Sequence, residues 1–139
     1  MFKLHPKLAA DCFQVGNFPL SRLLMINDSN YPWFILVPRV PDITEIYQLT
    51  EVDQVQLAVE SSVLSETLAR MFGADKMNIA ALGNVVSQLH VHHVVRFKTD
   101  LAWPDPVWGK VAPAPYVDSV VEGMVIKLES AFSIDFKLG

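Results

Sequence analysis

The feature that most constrains the fold of this chain is the run from Gln88 to Phe97, in which three of the protein's four histidines lie among apolar and β-branched residues. This composition is typical of a buried strand, in which successive side chains point to opposite faces of the sheet. The face that carries the polar groups would hold Gln88, His90, His92, Val94 and Arg96. On strand spacing the Cβ atoms of His90 and His92 lie roughly 6–7 Å apart, so both imidazoles can reach a single substrate group.

Length and composition set the class of protein. A chain of 139 residues with 51% hydrophobic and 19% charged residues is typical of one globular domain, which we expect to span residues 1–139. The net charge of −4 argues against nucleic acid as a partner. No window approaches the roughly 18 uncharged apolar residues of a membrane span, and the start does not resemble a signal peptide, so we expect no membrane partner. The lone Cys12 is more typical of a core residue than of a nucleophile and fits a reducing compartment, which predicts a cytoplasmic protein.

Apolar periodicity predicts an α+β fold with an antiparallel sheet of about five strands. The main helix is expected at about 51–72, because Thr50 and Asp53 form an N-terminal cap pair and Gly73 follows the last apolar position. A C-terminal helix is expected after Pro115. The predicted strands are 13–15, 20–26, 33–37, 76–81 and 85–97. The apolar positions of the main helix are expected to pack in the core, with partner binding as the alternative: Val52, Val55, Leu57, Val59, Val63, Leu64, Leu68 and Met71.

Two chemistries suit a pair of histidines on one face of a strand. His90 and His92 have the spacing of two metal ligands, but a third ligand would have to come from a distant residue such as Asp100 or His5. Alternatively, a neutral imidazole attacks phosphorus and forms an N-phosphorylated intermediate. The attacking nitrogen then needs a free lone pair, so the other ring nitrogen must donate its proton to a fixed acceptor. Gln88 and the second imidazole would bind the phosphate oxygens or the leaving group.

The segment Gln88-Leu89-His90-Val91-His92-His93-Val94 resembles the signature of the histidine triad (HIT) family, His-φ-His-φ-His-φ-φ, where φ is apolar. The resemblance covers roughly residues 13–109. Residues 24–28 and 34–39 are similar to the nucleoside-pocket hairpin of the family. The segment 103–109, rich in tryptophan and proline, resembles a bacterial subset of HIT-like proteins.

The resemblance implies a HIT-like fold, a homodimer and a nucleotide hydrolase or nucleotidyl transferase. The reaction implied is at the α-phosphate of a nucleoside phosphoramidate or dinucleoside polyphosphate, with a purine nucleotide or related small molecule as partner and with no cofactor or metal. His90 falls on the family's nucleophile, which forms a nucleotidyl-histidine intermediate; His92 falls on the last triad histidine, and Gln88 on the first. The nucleotide-binding residues implied are Asn27, Asp28, Asn78, Gly83, Asn84 and Val85, of which Asn27, Asp28 and Asn84 have a simple turn role as their alternative.

Two residues depart from the family pattern. Gln88 stands where the family has its first histidine, and an amide cannot be protonated near neutral pH. Trp33 stands at a second position where many members carry a histidine. If the first position must carry a proton, the alternative is a catalytically weak nucleotide-binding module, and a His-based metal protein is a further alternative. Trp103 and Trp108 would either wall a pocket or cover a subunit contact.

Overall fold

The computed structural model describes residues 1–132 and 134–139. It consists of three α-helices, a short 3-10 turn at Ile46–Gln48 and six strands. The helices are α1 (Pro6–Asp11), α2 (Glu51–Phe72) and α3 (Asp118–Ala131). The strands are β1 (Cys12–Asn17), β2 (Ser21–Ile26), β3 (Trp33–Pro38), β4 (Lys76–Ala80), β5 (Val91–Arg96) and β6 (Lys137–Leu138).

All six strands form one antiparallel sheet in the order β4-β5-β3-β2-β1-β6. The α+β fold predicted from the sequence is confirmed, with one strand more than expected. The additional strand, β6, pairs with the end of β1, where a side chain on Gly16 would collide with the Lys137 carbonyl and the Phe136 ring. Glycine at this position therefore permits the close approach of the C-terminal strand.

The main helix has the predicted bounds, and both of its ends have the predicted caps. The Thr50 side chain accepts a hydrogen bond of 3.2 Å from the Asp53 amide, which satisfies one free donor of the first turn. Gly73 adopts the left-handed conformation with φ of 64° and closes the last turn through its amide. These local signals explain why α2 was predictable without knowledge of its packing partners.

The predicted core face of α2 is wrong at three of its eight positions. Leu57, Leu64 and Leu68 are buried against the sheet, as expected, but Val52 and Val55 are exposed. Val59 is exposed as well. The sheet covers only one side of the helix, so a second apolar stripe on the adjoining side is left uncovered by residues 1–132 and 134–139.

The strand predicted for 85–97 is also wrong at its start, since β5 begins only at Val91. Its two neighbours explain this boundary: Val91 pairs with Leu36 on β3, and β4 ends at Ala80, which pairs with His92. Residues before Val91 have no strand to pair with. Gln88 and His90 therefore precede the strand, although the His90 ring still lies on the same face of the sheet as the His92 ring.

The two faces of the sheet have different covers. Helices α2 and α3 pack on one face with the largest cluster of buried apolar residues. The N-terminal segment with α1 covers part of the other face, around Leu24, Ile35 and Val37. The loop that follows β5 covers another part, around Tyr31 and Trp33. In the part of the chain that the structure describes, no helix is both long enough and apolar enough to cross a membrane.

Candidate active site

A mainly apolar cavity of about 290 Å³ contains the two predicted catalytic histidines and lies on the face of the sheet opposite α2. The N-terminal helix α1 forms one side and the segment before β5 forms another. Its lining residues are Lys7, Leu8, Asp11, Cys12, Ile26, Trp33, Ile35, Leu82, Gly83, Asn84, Val85, Val86, His90, His92 and Trp108. The structure thus brings His90 and His92 together with the predicted residues Gly83, Asn84 and Val85.

The His90 ring is oriented by its own backbone neighbourhood. Its Nδ1 lies 2.7 Å from the Gln88 carbonyl oxygen, which can only accept a hydrogen bond. Nδ1 therefore carries the proton, and Nε2 of the neutral ring keeps its lone pair. Among residues 1–132 and 134–139, no hydrogen-bond partner occupies Nε2. This is the tautomer that a nucleophilic imidazole requires.

The His92 ring has the opposite tautomer. The Trp33 indole Nε1–H donates a 2.9 Å hydrogen bond to His92 Nδ1, so the proton of the neutral ring is on Nε2. The rings of His90 and His92 are 4.9 Å apart between centroids and meet edge to face. Burial, followed by the neighbouring His90 and His93, lowers the pKa of His92 to about 3. His92 is consequently neutral over the physiological range.

The third histidine of the run serves the other face of the sheet. His93 is fully buried, donates from Nδ1 to the Val91 carbonyl at 3.0 Å and lies 2.7 Å from the Ser61 hydroxyl on α2. Burial lowers the pKa of His93 to about 4, although its bond to the Val91 carbonyl acts in the opposite direction. The neutral ring joins β5 to α2 and has no part in the cavity.

The Gln88 side chain contacts the N-terminal segment and does not line the cavity. Its Nε2 donates to the Lys3 carbonyl at 2.8 Å, and its Oε1 accepts from the His5 amide at 2.9 Å. The His5 ring in turn accepts from the Lys7 amide at the start of α1. Gln88 thus ties down the segment from which α1 reaches the cavity.

Arg96 and Asn78 form a buried polar cluster outside the cavity. Arg96 donates to both oxygens of Asp100, at 2.8 and 3.0 Å, and to the Asn78 side-chain oxygen at 2.7 Å. Burial alone would raise the pKa of Asp100, but the bonds from Arg96 and from the amides of Phe97, Ala102 and Trp103 outweigh it and hold that pKa at about 2. This ion pair anchors the loop after β5, and Arg96 also binds the side chain of Asn78, a predicted nucleotide-binding residue.

The two tryptophans of that loop have separate positions. The Trp108 ring lines the cavity and meets the His92 ring edge to face at 5.1 Å between centroids. The Trp103 ring lies under the Arg96 guanidinium, 5.6 Å from it. Trp108 therefore walls the pocket, as one of the two sequence alternatives held, whereas Trp103 covers the buried ion pair.

The predicted nucleotide-binding residues Asn27 and Asp28 do not line the cavity. Asp28 is buried, and its Oδ1 accepts from the amides of Asn30 and Ala114. The Asn27 side-chain oxygen accepts from the Tyr116 amide at 2.8 Å. Their neighbour Ile26 does line the cavity. In this structure the two side chains hold the segment before α3 against the end of β2, and a contact with the nucleotide stays a prediction.

Several lining residues were missed from the sequence, above all those of α1. Lys7, Leu8 and Asp11 reach the cavity only because the N-terminal segment folds back across the sheet. The helical spacing of Leu4, Leu8 and Cys12 was visible, but it does not indicate where the helix packs.

The placement of metal-ligating side chains and a second, larger groove both bear on the choice of site. Within the described ranges, no group of three or more His, Cys, Asp and Glu side chains is placed to hold a metal ion. A larger groove of about 600 Å³ lies between α2 and α3, around Ser62, Arg70 and Lys127, and contains none of the predicted site residues. We therefore take the cavity with the two histidines as the candidate site.

The family model of the HIT domain matches residues 7–99, which include the cavity and the histidine run. The chain belongs to the histidine triad family. No curated protein matches it at a significant level.

Three solved structures show the same HIT fold over nearly the whole chain. A histidine triad protein from Bradyrhizobium japonicum is 46% identical, with a TM-score of 0.92 and coverage of 94% of this chain and 98% of that one. One from Marinobacter aquaeolei is 51% identical, with a TM-score of 0.92 and coverage of 95% and 96%. One from Sinorhizobium meliloti is 36% identical, with a TM-score of 0.93 and coverage of 95% and 98%.

Proposed function

We propose that this HIT protein is a nucleotide hydrolase or nucleotidyl transferase in which His90 attacks the α-phosphate of a nucleotide. The observation that carries the proposal is the bond from His90 Nδ1–H to the Gln88 carbonyl, which leaves Nε2 with a free lone pair in the cavity. A fixed tautomer removes the competing protonation site from the nucleophile and aligns its lone pair before substrate binds.

The other groups have supporting roles in the proposal. His92 donates from Nε2 to a phosphate oxygen, and backbone amides around Gly83, Asn84 and Val85 stabilise the charge that develops on phosphorus. The apolar lining suits the face of a purine base. Asn27, Asp28 and Asn78 stay predicted nucleotide ligands. To bind a nucleotide, each side chain must either contact it in addition to its present protein partner or exchange that partner for the nucleotide. The chemistry requires no cofactor or metal, and we place it in a single cytoplasmic domain of residues 1–139.

The proposal includes a homodimer. Its support is the uncovered apolar stripe of α2, which carries Val52, Val55 and Val59, together with Ile79 on the edge strand β4. Exposed apolar patches and free strand edges are features that a second copy of a chain commonly covers.

The test is a single-turnover reaction with α-labelled diadenosine triphosphate, quenched without acid because phosphorus–nitrogen bonds are acid-labile, and analysed by intact mass. We expect a transient adduct of one AMP on the protein. His90→Ala should lose the adduct and reduce turnover by at least about a thousandfold, while thermal unfolding shows that the variant is folded.

A catalytically weak nucleotide-binding module is the second candidate, and one observation favours it. Both polar atoms of the Gln88 side chain are bound to backbone groups of Lys3 and His5. Of the three triad positions, only His90 and His92 are then left to contact the phosphate, each through Nε2. Thermal stabilisation by AMP without adduct or product would support this module and refute the hydrolase.

A further inference from the structure

The hydrogen bond between Trp33 and His92 restricts what the second imidazole can do. An indole N–H is a donor and never an acceptor, so His92 Nδ1 must present a lone pair to it. The register of the sheet imposes this contact: Trp33 pairs with Val94 and is therefore the diagonal neighbour of His92 on the same face. Trp108 packs against both rings and keeps them in place.

Protonation of His92 would require Nδ1 to carry a hydrogen that points at the indole hydrogen. The ring is also buried among apolar groups, and burial and the adjacent imidazoles lower its pKa to about 3. His92 therefore offers one constant hydrogen bond from Nε2. It can stabilise negative charge, but it cannot release this proton without becoming an imidazolate.

The other groups around His92 do not replace the missing acid. His90 uses Nε2 for attack and Nδ1–H for the Gln88 carbonyl. Burial, followed by the charge of Asp11, raises the pKa of the Cys12 thiol to about 12. Lys7, at the exposed mouth of the cavity, is paired with Asp11 at 3.0 Å.

We propose that Trp33 determines the substrate class of this enzyme, because a His92 that is held as a permanent donor restricts cleavage to nucleotides whose leaving group departs as a stable anion. Such substrates are nucleotide anhydrides that release a phosphate, a nucleoside phosphate or a carboxylate. Nucleoside phosphoramidates, which release an amine, fall outside the class. This inference rests on the proposed function and names the substrate for it.

The steps balance without a proton for the leaving group. His90 Nε2 donates its lone pair to the α-phosphorus, a P–N bond forms, and the P–O bond to the leaving group breaks with its electron pair on oxygen. The proton on His90 Nδ1 remains bonded to the Gln88 carbonyl. Water then forms a new P–O bond, the P–N electrons return to Nε2, and the water proton passes to solvent. An amine leaving group would have to depart as an amide anion, which is far too basic to leave unprotonated.

The experiment measures turnover of AMP esters and amides with graded leaving groups: 4-nitrophenyl-AMP, phenyl-AMP, diadenosine triphosphate and AMP morpholidate. A missing general acid costs about 10²–10⁴-fold in rate for a poor leaving group. We expect the wild type to cleave phenyl-AMP and AMP morpholidate at least about a hundredfold more slowly than 4-nitrophenyl-AMP. In Trp33→His, the new ring can accept a hydrogen bond from His92 Nδ1 as well as donate one to it. This variant should reduce the rate difference between the leaving groups at least about tenfold. Trp103→Phe removes a tryptophan of the same loop that lies on Arg96 outside the cavity, and it should keep the wild-type ratio.

Nitrogen NMR of ¹⁵N-histidine protein provides a second measurement that does not depend on turnover. In the wild type and in Trp103→Phe, His92 should show only the Nε2–H tautomer between pH 8 and 5. In Trp33→Phe and Trp33→His, a proton should also be detected on Nδ1. A wild-type His92 with its proton on Nδ1 overturns the inference.

The two proposals fail in different ways. Formation of the His90 adduct with equal rates for all leaving groups refutes the substrate class and leaves the hydrolase intact. Absence of adduct and product with every substrate refutes the hydrolase and the substrate class together.

Discussion

At the residue scale, the two imidazoles of the cavity differ because each ring nitrogen meets a partner that can hydrogen-bond in only one direction. A carbonyl accepts from His90 Nδ1, and an indole donates to His92 Nδ1. The first ring has the tautomer that a nucleophile requires and the second that of a hydrogen-bond donor from Nε2, although the two residues are chemically identical. The ring nitrogen that carries the proton is thus set by the hydrogen-bond partner, which is the Gln88 carbonyl for His90 and the Trp33 indole for His92.

Gln88 is predicted to act as a tether of the cavity wall. Gln88→Leu removes the two bonds to Lys3 and His5 and should lower the free energy of unfolding by about 1–2 kcal/mol. Because α1 is then held less firmly, trypsin should cleave after Lys7 faster than in the wild type. Gln14→Leu, at an exposed glutamine of β1, is the matched control and should leave the cleavage rate unchanged. Equal cleavage in both variants would contradict the tether.

At the element scale, the loop after β5 depends on one buried ion pair. Arg96 and Asp100 are 1% and 2% exposed, so loss of one partner leaves an uncompensated charge in the interior. Asp100→Asn should therefore lower the free energy of unfolding by about 3–5 kcal/mol in urea denaturation. It should also loosen Trp108 at the cavity wall.

Asp105→Asn is the control for this prediction, since the Asp105 carboxylate pairs with Lys110 at the exposed surface of the same loop. An exposed ion pair contributes less than about 1 kcal/mol. A similar decrease in the free energy of unfolding in both variants would show that the buried ion pair stabilises the protein no more than the exposed one.

At the scale of the whole molecule, stability should fall in mild acid because two buried histidines stay neutral in the fold. The folded pKa values of His92 and His93 are about 3 and about 4, below the ordinary value of 6.5. Their contribution is complete above pH 6.5 and decreases as the pH falls, because the unfolded chain binds protons that the folded chain does not. Each group should reduce the free energy of unfolding by about 1.4 kcal/mol per pH unit below 6.5.

Urea denaturation between pH 8 and 5 measures this slope. Asp100 does not interfere, since its lowered pKa removes stability only between its ordinary value of 3.8 and about 2. His93→Gln should remove part of the slope, and the remainder should belong to His92. A free energy of unfolding that is constant from pH 8 to 5 would refute neutral burial of the two rings.

The proposed homodimer is also tested at the scale of the whole molecule. Val55, which is 65% exposed on the uncovered stripe of α2, should tolerate a charge in a monomer but not in an interface. Val55→Glu should yield a monomer in sedimentation equilibrium, whereas the wild type should sediment as a dimer. Val120→Glu, at an exposed valine of α3, is the matched control and should remain dimeric. Dissociation by both variants, or by neither, would exclude the α2 stripe as the contact.

The sequence by itself determined those features that depend on neighbouring residues. The bounds of α2 follow from the cap at Thr50 and from Gly73, and apolar runs located β1 to β5. The pattern around His90 and His92 indicated the HIT family and the face that carries the site. Such signals act over a few residues, so they can be read directly from the chain.

Only the tertiary structure decided the features that depend on contacts between distant segments. The Gln88 side chain bonds to His5 and Lys3, which precede it in the chain by 83 and 85 positions. The bond from Trp33 to His92 spans 59 positions. The late start of β5 depends on where β3 and β4 end. The exposure of Val52 and Val55 depends on which side of α2 the sheet covers. Register and packing bring these groups together, and neither is encoded within any single stretch of sequence, because each depends on the position of a second element.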